Sequence, residues 1–302
     1  MSRVGFLRAQ AAVLDRHGVE YERRFVDVPS IDGRAQLLVV GEGPPVVMVN
    51  GIGNPAAMWA PLAARLDGYT LFAVDLPGYG LTDTSPALNA DLQRAAVTFL
   101  REVLDGLGVE RASFVANSLG SLWTSWFAID EPHRVDRLVH VGCPALVLGT
   151  SAPLPMRLLS LRGLGSLITK LDPPSPAQVR RLSKLVNEHP LPDEIAELLV
   201  ATGRLPDFQR TLLSMLRRLV RLRGARPGMG LTVDQLSQIE HRSLLLFGAD
   251  DPFGGPEVGE RAARAMPHAQ LEIVDGGHAP WIHHADQIAS HVNDFLTSSP
   301  GR

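Results

Sequence analysis

A serine, two adjacent aspartates and a histidine each stand just beyond a short apolar run of the chain. These residues are Ser118, Asp250, Asp251 and His278. The runs before them, residues 112–116, 244–247 and 271–274, are typical of buried strands. A serine hydroxyl is a weak nucleophile until a neighbouring base takes its proton, and a histidine oriented by a carboxylate is such a base. Because ligands bind beyond the carboxyl ends of strands in open α/β sheets, the pattern predicts one site for nucleophilic catalysis.

The serine lies in a pattern of small residue, any residue, serine, any residue and glycine, over residues 116–120. A strand pattern precedes it, and a helix-like pattern begins at Leu122. A sharp strand-to-helix turn forces such a serine into a strained, exposed position, which small flanking residues like Gly120 permit. Ala116 stands where glycine is commoner. The following helix directs its free N–H groups toward whatever Ser118 attacks.

Strand and helix patterns alternate along most of the chain. They predict a hairpin over residues 21–40 and strands at 46–49, 71–74, 112–116, 135–141, 244–247 and 271–274. They predict helices at 58–66, 92–107, from the Ser118 turn to 128, 258–265 and 285–296, with Asn89 or Asp91 capping the second. The fold class is therefore α/β, with a mostly parallel central sheet and helices on both of its faces.

The alternation stops between residues 145 and 238, where the chain is helical, rich in leucine and interrupted by prolines. This segment is far too long for a loop, so we expect an inserted helical cap. The core is then formed by residues 1–144 and 239–302. Residues 1–18 suit an amphipathic helix, and we expect the tail from Ser298 to be loose.

Composition bounds the classes of function. The 302 residues are 45% hydrophobic and 20% charged, which fits a globular protein with a sizeable core. The formal net charge of −3 argues against general nucleic-acid binding. The single cysteine, Cys143, excludes an internal disulfide and is expected to be a small buried hydrophobe.

The sequence lacks the patterns of membrane spans and of common metal sites, and this bears on its location and cofactors. Charged residues interrupt the first 18 positions, and no run approaches the roughly 18 apolar residues of a membrane span. We therefore expect a cytoplasmic protein without an integral membrane segment. There is no His-Glu-x-x-His motif and no paired-cysteine spacing, so we expect neither a metal nor another cofactor. The sequence makes no prediction of the oligomeric state.

The order serine, aspartate, histidine at three strand ends resembles the α/β-hydrolase superfamily, in its cap-bearing serine-hydrolase branch. The resemblance covers about residues 46–141 and 244–296. It implies that Ser118 is the nucleophile and that His278 is the base that takes its proton and later returns it. The family's Gly-x-x-Asp pattern selects Asp251 over Asp250 as the acid.

The resemblance also implies an oxyanion hole made of two backbone N–H groups. These would belong to Leu119, directly after the nucleophile, and to Ile52, in the loop after the strand at 46–49. Because backbone groups would donate the hydrogen bonds, the identity of the residues at these positions is free to vary.

Three side chains are candidates for the substrate pocket. Asn50 stands where the family usually has histidine, and it keeps a hydrogen-bonding side chain without a titratable ring. Asn117 and Trp281 partly match hydrolases that cleave carbon–carbon bonds of dienone acids, which often have Asn-Ser-x-Gly and a tryptophan after the histidine. Trp281 is also compatible with a simple pocket wall.

The cap carries most of the basic residues of the second half of the chain, including Arg217, Arg218 and Arg221 along one helix flank. They would attract an anionic substrate or a membrane surface, or they form a solvated helix face, which is the commoner case. The leucines of the cap, with Met215, are expected to cover the sheet and roof the pocket. An apolar roof favours a hydrophobic small-molecule substrate.

The resemblance implies a cofactor-free serine hydrolase that cleaves a carboxylic ester or lactone of a hydrophobic small molecule through an acyl-enzyme. A carbon–carbon bond hydrolase of the meta-cleavage-product type is one alternative, which a charged cap residue facing Ser118 would favour. A non-catalytic small-molecule receptor on the same fold is another, because fold does not fix function.

Overall fold

The computed structural model describes residues 2–85 and 91–298. The ten strands in this part of the chain are β1 Glu22–Val28, β2 Gly33–Val40, β3 Pro45–Val49, β4 Thr70–Val74, β5 Ala112–Ala116, β6 Val135–Val141, β7 Val220–Arg221, β8 Gly224–Ala225, β9 Ser243–Gly248 and β10 Ala269–Val274. The α-helices are α1 Ser2–Arg16, α2 Ala60–Ala63, α3 Leu92–Leu107, α4 Leu119–Asp130, α5 Leu154–Leu159, α6 Leu164–Leu171, α7 Pro176–Leu185, α8 Asp193–Gly203, α9 Phe208–Leu219, α10 Val233–Leu236, α11 Pro256–Ala265 and α12 Ala285–Thr297.

Eight strands form the central sheet in the order β1-β2-β4-β3-β5-β6-β9-β10. The pairs β1–β2 and β2–β4 are antiparallel, and the other neighbours are parallel. The predicted α/β class with a mostly parallel sheet is confirmed. Because β5, β9 and β10 run in parallel, their carboxyl ends meet at one edge of the sheet.

Alternate side chains of each central strand enter two apolar layers. Val49 and Phe114 point into the layer that holds α3 and α4, while Met48 and Val115 point into the layer that holds α1, α2 and α12. Such runs of apolar residues fit strands that are covered on both faces. The predicted amphipathic helix at the N-terminus is also confirmed, since Phe6 and others of α1 are fully buried.

Most predicted boundaries hold within two residues, and α3, β5 and β6 match their predicted ranges. The Asp91 side chain accepts a hydrogen bond from Arg94 N and caps α3 as expected, whereas Asn89 lies outside the described residues. The predicted helix over 58–66 is wrong in extent. A 3₁₀ turn, Ala56–Trp59, leads into the short α2, because Pro61 has no N–H to donate to the preceding turn.

Between β6 and β9 the chain forms five longer helices, α5 to α9, then the small hairpin β7–β8 and the short α10. We call residues 145–238 the helical segment. The hairpin was not predicted, because each of its strands is only two residues long. Among the described residues, no helix combines the length and apolar character needed to cross a bilayer. The tail beyond Ser298 lies outside the described residues.

One glycine decides how closely α4 approaches the sheet. A Cβ on Gly120 would collide with the backbone carbonyl of Val49, at the end of β3.

We expect Gly120→Ala to lower the free energy of unfolding by about 1–3 kcal/mol, the usual cost of overpacking. Gly5→Ala in α1 is the matched control, because a Cβ there meets no atom within 4 Å and alanine favours helix. Equal stability of both variants in denaturant titrations would contradict this packing account.

Candidate active site

Ser118 occupies the tight turn between β5 and α4. Its backbone has φ of 52° and ψ of −111°, which is the strained conformation that the sequence predicts. Backbone hydrogen bonds hold the turn, since Asn117 N donates to Val49 O and Ala145 N donates to Ser118 O. The expectation of an exposed serine is wrong, because residues of the helical segment lie over Ser118 and leave it 6% exposed.

Asp251 and His278 follow β9 and β10 and are in direct contact. His278 Nδ1 lies 2.8 Å from Asp251 Oδ2 and 3.0 Å from Oδ1. A carboxylate can only accept, so Nδ1 donates the hydrogen bond and Nε2 is the basic nitrogen. Within the described chain, the buried Nε2 has no hydrogen-bond partner. The pair therefore has the geometry of a base whose free nitrogen is available for a substrate or nucleophile proton.

Backbone N–H groups fix the carboxylate of Asp251. Oδ2 accepts from Cys143 N at 2.8 Å, and Oδ1 accepts from Phe253 N at 2.9 Å. Asp250, the neighbouring alternative, is exposed. Cys143 is fully buried as expected, and burial raises the pKa of its thiol well above the usual value. The backbone N–H of Cys143, in the loop after β6, thus orients the carboxylate of Asp251.

Phe253 holds the other side of the histidine. Its ring stacks on the imidazole of His278 with centroids 4.0 Å apart and planes 21° apart. Phe253 also lines the cavity into which Ser118 opens. No role for Phe253 is predicted from the sequence, since a phenylalanine two positions after Asp251 has many structural explanations. The stack restricts rotation of the imidazole and keeps water from one of its faces.

A narrow cavity of about 30 Å³ lies over Ser118. The described side chains that line it are uncharged, and most are apolar. They are Ile52, Ser118, Leu119, Ala145, Leu146, Thr150, Ser151, Ala152, Met156, Leu216, Leu219, Val220 and Phe253. Leu216 and Leu219 come from α9, so the expectation that cap leucines cover the pocket is met there. The volume holds one or two water molecules.

The two predicted oxyanion donors both belong to this cavity. Leu119 begins α4, so its N–H has no acceptor within the helix, and Ile52 lies in the loop after β3. In the described part of the chain, neither N–H donates a hydrogen bond. Two free donors beside a serine hydroxyl can stabilise an anionic oxygen.

A family model described as an alpha/beta hydrolase fold matches residues 44–285. The chain belongs to the α/β-hydrolase family. A 2-hydroxy-6-oxononadienedioate/2-hydroxy-6-oxononatrienedioate hydrolase from Cupriavidus pinatubonensis is 30% identical to this α/β-hydrolase, over 83% of this chain and 86% of the relative.

Two solved structures share the fold at lower identity. Carboxylesterase CesB from Bacillus subtilis has a TM-score of 0.80 at 22% identity, with 99% of both chains covered. A meta-cleavage product hydrolase from Pseudomonas fluorescens has a TM-score of 0.73 at 22% identity, with 90% of this chain and 97% of that chain covered. By sequence this α/β-hydrolase is thus similar to a 2-hydroxy-6-oxononadienedioate hydrolase, and its fold is shared by a carboxylesterase and a meta-cleavage product hydrolase.

Asn50, Asn117 and Trp281, the predicted pocket side chains, make contacts within the scaffold. Asn50 Nδ2 donates to Pro55 O, and Asn117 Nδ2 donates to the carbonyls of Val141 and His278. Trp281 is fully buried and donates from Nε1 to a backbone carbonyl. Of the described residues that line the cavity, none is one of these three. They position the loops of this α/β-hydrolase around Ser118, because their polar atoms bond to backbone carbonyls.

Glu188, in the loop after α7, contacts the histidine loop and was missed by the sequence analysis. Its Oε1 accepts from Gly277 N at 3.1 Å and from Ala279 N at 2.8 Å, the two residues that flank His278. Burial raises the pKa of Glu188 to about 7, although both N–H groups and nearby His278 oppose that shift. A single glutamate in an irregular loop carries no sequence signal, because the residues it contacts are about ninety positions away.

A second buried carboxyl, Asp75, supports the loop that contains Ile52. It accepts from Ala56 N at 2.6 Å and Gln36 Nε2 at 2.7 Å, and burial raises its pKa to about 7. Within the described ranges, no three His, Cys, Asp or Glu side chains converge as a metal ion would require.

The carboxyl of Glu188 makes stability depend on pH. Because its pKa rises from 4.5 to about 7 on folding, the folded chain binds the proton more tightly than the unfolded chain. That stabilisation is complete below pH 4.5 and is lost as pH rises toward 7. Glu188→Gln does not titrate, so it does not lose this stabilisation as pH rises, and it keeps a side-chain oxygen that can accept hydrogen bonds. We expect its free energy of unfolding relative to wild type to rise by about 1–3 kcal/mol across this window.

Denaturant titrations at pH 4.5 and pH 7.5 measure this effect. Glu197→Gln is the matched control, because Glu197 is an exposed carboxylate on α8. The control variant should follow the wild type at both pH values. A Glu188→Gln variant with the same pH dependence as wild type would contradict a raised pKa at this position.

Proposed function

We propose that this chain is a serine hydrolase that cleaves a carboxylic ester or lactone of a hydrophobic small molecule through an acyl-enzyme. The observation that carries the proposal is the cavity over Ser118, whose described lining is uncharged and mostly apolar. Such a lining accepts an apolar acyl or alcohol part, while Ser118 and the free N–H groups of Ile52 and Leu119 supply polar contacts at one end.

In the proposed mechanism, Ser118 Oγ attacks the ester carbonyl as its proton passes to His278 Nε2. The carbonyl oxygen becomes an anion and accepts hydrogen bonds from Ile52 N and Leu119 N. Collapse of this intermediate breaks the bond to the alcohol oxygen, which takes the proton from His278. Asp251 holds the imidazole in the tautomer with Nδ1 protonated and stabilises its cationic form.

Water completes the cycle. His278 Nε2 takes a proton from a water molecule as its oxygen attacks the acyl-Ser118 carbonyl. The second tetrahedral intermediate expels the serine oxygen, which regains its proton from His278, and the carboxylic acid leaves. The buried position of the Asp251–His278 pair supports this role, because an oriented ion pair is stronger away from solvent.

We further propose that the helical segment is a cap that gates the site, with residues 1–144 and 239–302 as the hydrolase core. Met156 on α5, Leu216 and Leu219 on α9 and Val220 on β7 support this proposal, since they form the cavity wall opposite the core. A cavity of about 30 Å³ excludes an ester larger than a few atoms, so substrate entry requires the cap to shift.

Carbon–carbon bond hydrolysis is the second candidate, because a relative at 30% identity is named as a hydrolase of 2-hydroxy-6-oxononadienedioate, a dienone acid. The dienedioate substrates in that name are anions at neutral pH, and an anion in an enclosed cavity needs a cationic partner. No described residue that lines the cavity here is an arginine, lysine or histidine. We therefore place the ester first, on the uncharged lining of the closed cavity.

Labelling with a fluorophosphonate probe tests the nucleophile. We expect the wild type to be labelled and Ser118→Ala to lose labelling, together with at least about a thousandfold of p-nitrophenyl ester turnover. Ser151→Ala is the matched control, because Ser151 lines the same cavity but follows no strand-to-helix turn. If Ser151→Ala loses labelling and Ser118→Ala keeps it, the reactive serine is Ser151, which would contradict the proposal.

The same assay separates the candidate functions. Turnover of p-nitrophenyl esters that peaks at one acyl chain length supports the ester proposal. Labelling without ester turnover, together with cleavage of a dienone acid, would favour the carbon–carbon hydrolase. Tight saturable ligand binding without labelling or turnover would favour a receptor.

A further inference from the structure

Helix α6 presents apolar side chains to solvent. Leu164, Leu167 and Leu171 are spaced three and four residues apart, so they share one face of the helix. Leu167 is 53% exposed and Leu171 is 76% exposed. Leucine side chains in such positions usually face a protein core, and a group of them in solvent marks an interaction surface.

The opposite face of α6 is packed against the rest of the segment. Gly165 and Thr169 are the buried residues of the helix. A Cβ on Gly165 would collide with the carbonyl of Leu159 and would lie 3.2 Å from Leu213 on α9. The side that packs inward is thus small and polar, while the side that faces outward is rich in leucine. The outward orientation of the leucines is fixed by this contact.

Two neighbouring elements also expose leucines. Leu154 on α5 is 49% exposed, and Leu222, at the turn of the β7–β8 hairpin, is 46% exposed. The hairpin lies against α5, because Arg157 Nη1 donates to Leu222 O at 2.9 Å. We define the docking face by its exposed leucines and cations. They are Leu154, Leu164, Leu167, Leu171, Leu222, Arg162, Lys170, Arg221 and Arg223.

Cations outnumber acidic residues in this region. Residues 145–171 and 208–233, which form α5, α6, α9 and the hairpin, contain no aspartate or glutamate, and the acids that directly flank them are Asp172, Asp207 and Asp234. Asp207 pairs with Arg210. They contain Arg157, Arg162, Lys170, Arg210, Arg217, Arg218, Arg221, Arg223 and Arg226. Arg162, Lys170, Arg221 and Arg223 are exposed. The chain as a whole has a net charge of −3, so the positive charge is local to these elements.

We propose that the docking face binds the surface of an anionic phospholipid bilayer. Leucines beside arginines and lysine on an exposed helix are the composition of segments that lie in a lipid interface. An anionic bilayer complements both features, because headgroups attract the cations while the leucines enter the acyl boundary. A soluble acidic protein would satisfy the charge but would leave most of the leucines without an apolar partner.

The position of this face gives the interaction a consequence. Two of the elements that carry it, α5 and the β7–β8 hairpin, also supply Met156 and Val220 to the wall of the cavity over Ser118. A bilayer bound there would lie next to the elements that must shift to admit a hydrophobic substrate. This consequence depends on the proposed hydrolase function, whereas bilayer binding itself does not.

Co-sedimentation with vesicles tests the proposal on the full chain carrying Ser118→Ala, so that ester hydrolysis plays no part in the readout. The vesicles are phosphatidylcholine alone, or phosphatidylcholine mixed with phosphatidylglycerol. We expect binding to the mixed vesicles that weakens as salt is raised. Arg162→Gln with Lys170→Gln should weaken it by about fivefold for each cation removed. Leu167→Ser with Leu171→Ser should weaken it by about tenfold or more.

Val4→Ser is the matched control, because Val4 is an exposed apolar side chain on α1, outside the docking face, and its substitution should leave binding unchanged. Circular dichroism of each variant verifies folding. No binding to mixed vesicles at low salt, or binding that neither pair of substitutions weakens, would overturn the proposal. A dimer in sedimentation velocity that Leu167→Ser with Leu171→Ser dissociates, without vesicle binding, would assign the face to a second copy instead.

Discussion

The backbone conformation of Ser118 is the constraint on which the site depends. A non-glycine residue with φ of 52° and ψ of −111° is strained by about 1–3 kcal/mol, so its surroundings must hold it. The hydrogen bond from Asn117 N to the end of β3 fixes one side, and that from Ala145 N fixes the other. Gly120 then lets α4 begin against β3, and the free N–H of Leu119 is left beside the hydroxyl.

The remaining parts of the site are held by contacts between loops that are distant in sequence. Cys143 N, from the loop after β6, orients the carboxylate of Asp251, which in turn orients His278. Asn117, next to Ser118, donates to the carbonyl of His278. Displacing one of these loops would therefore disturb the alignment of the others.

The helical segment contacts both the cavity and the histidine loop. Its α5 and α9 form the apolar wall over Ser118, while Glu188 binds the N–H groups on both sides of His278. If this segment is the cap that we propose, its opening would act on the same chain segment that positions His278. Substrate entry would then be linked to the geometry of the histidine, because one segment carries both contacts.

Local patterns were sufficient to predict α3, β5 and β6, and to place Ser118, Asp251 and His278 at strand ends, since each depends on residues close in sequence. Glu188 and Phe253 were not predicted, because each contacts the loop of His278 from a segment that is distant in sequence. Trp281 was expected near the substrate, yet its ring stacks on Trp59 with centroids 4.2 Å apart. A buried tryptophan and a pocket tryptophan have the same sequence pattern, so only packing separates them.

In the proposed mechanism Ser118 carries the acyl group during turnover. The most direct measurement mixes the wild-type protein with p-nitrophenyl butyrate, quenches with acid during the first turnover, and maps the digest by mass spectrometry. We expect a butyryl group on the peptide that contains Ser118. Release of p-nitrophenol with no acyl group on that residue would contradict it, because hydrolysis would then proceed without the proposed acyl-enzyme.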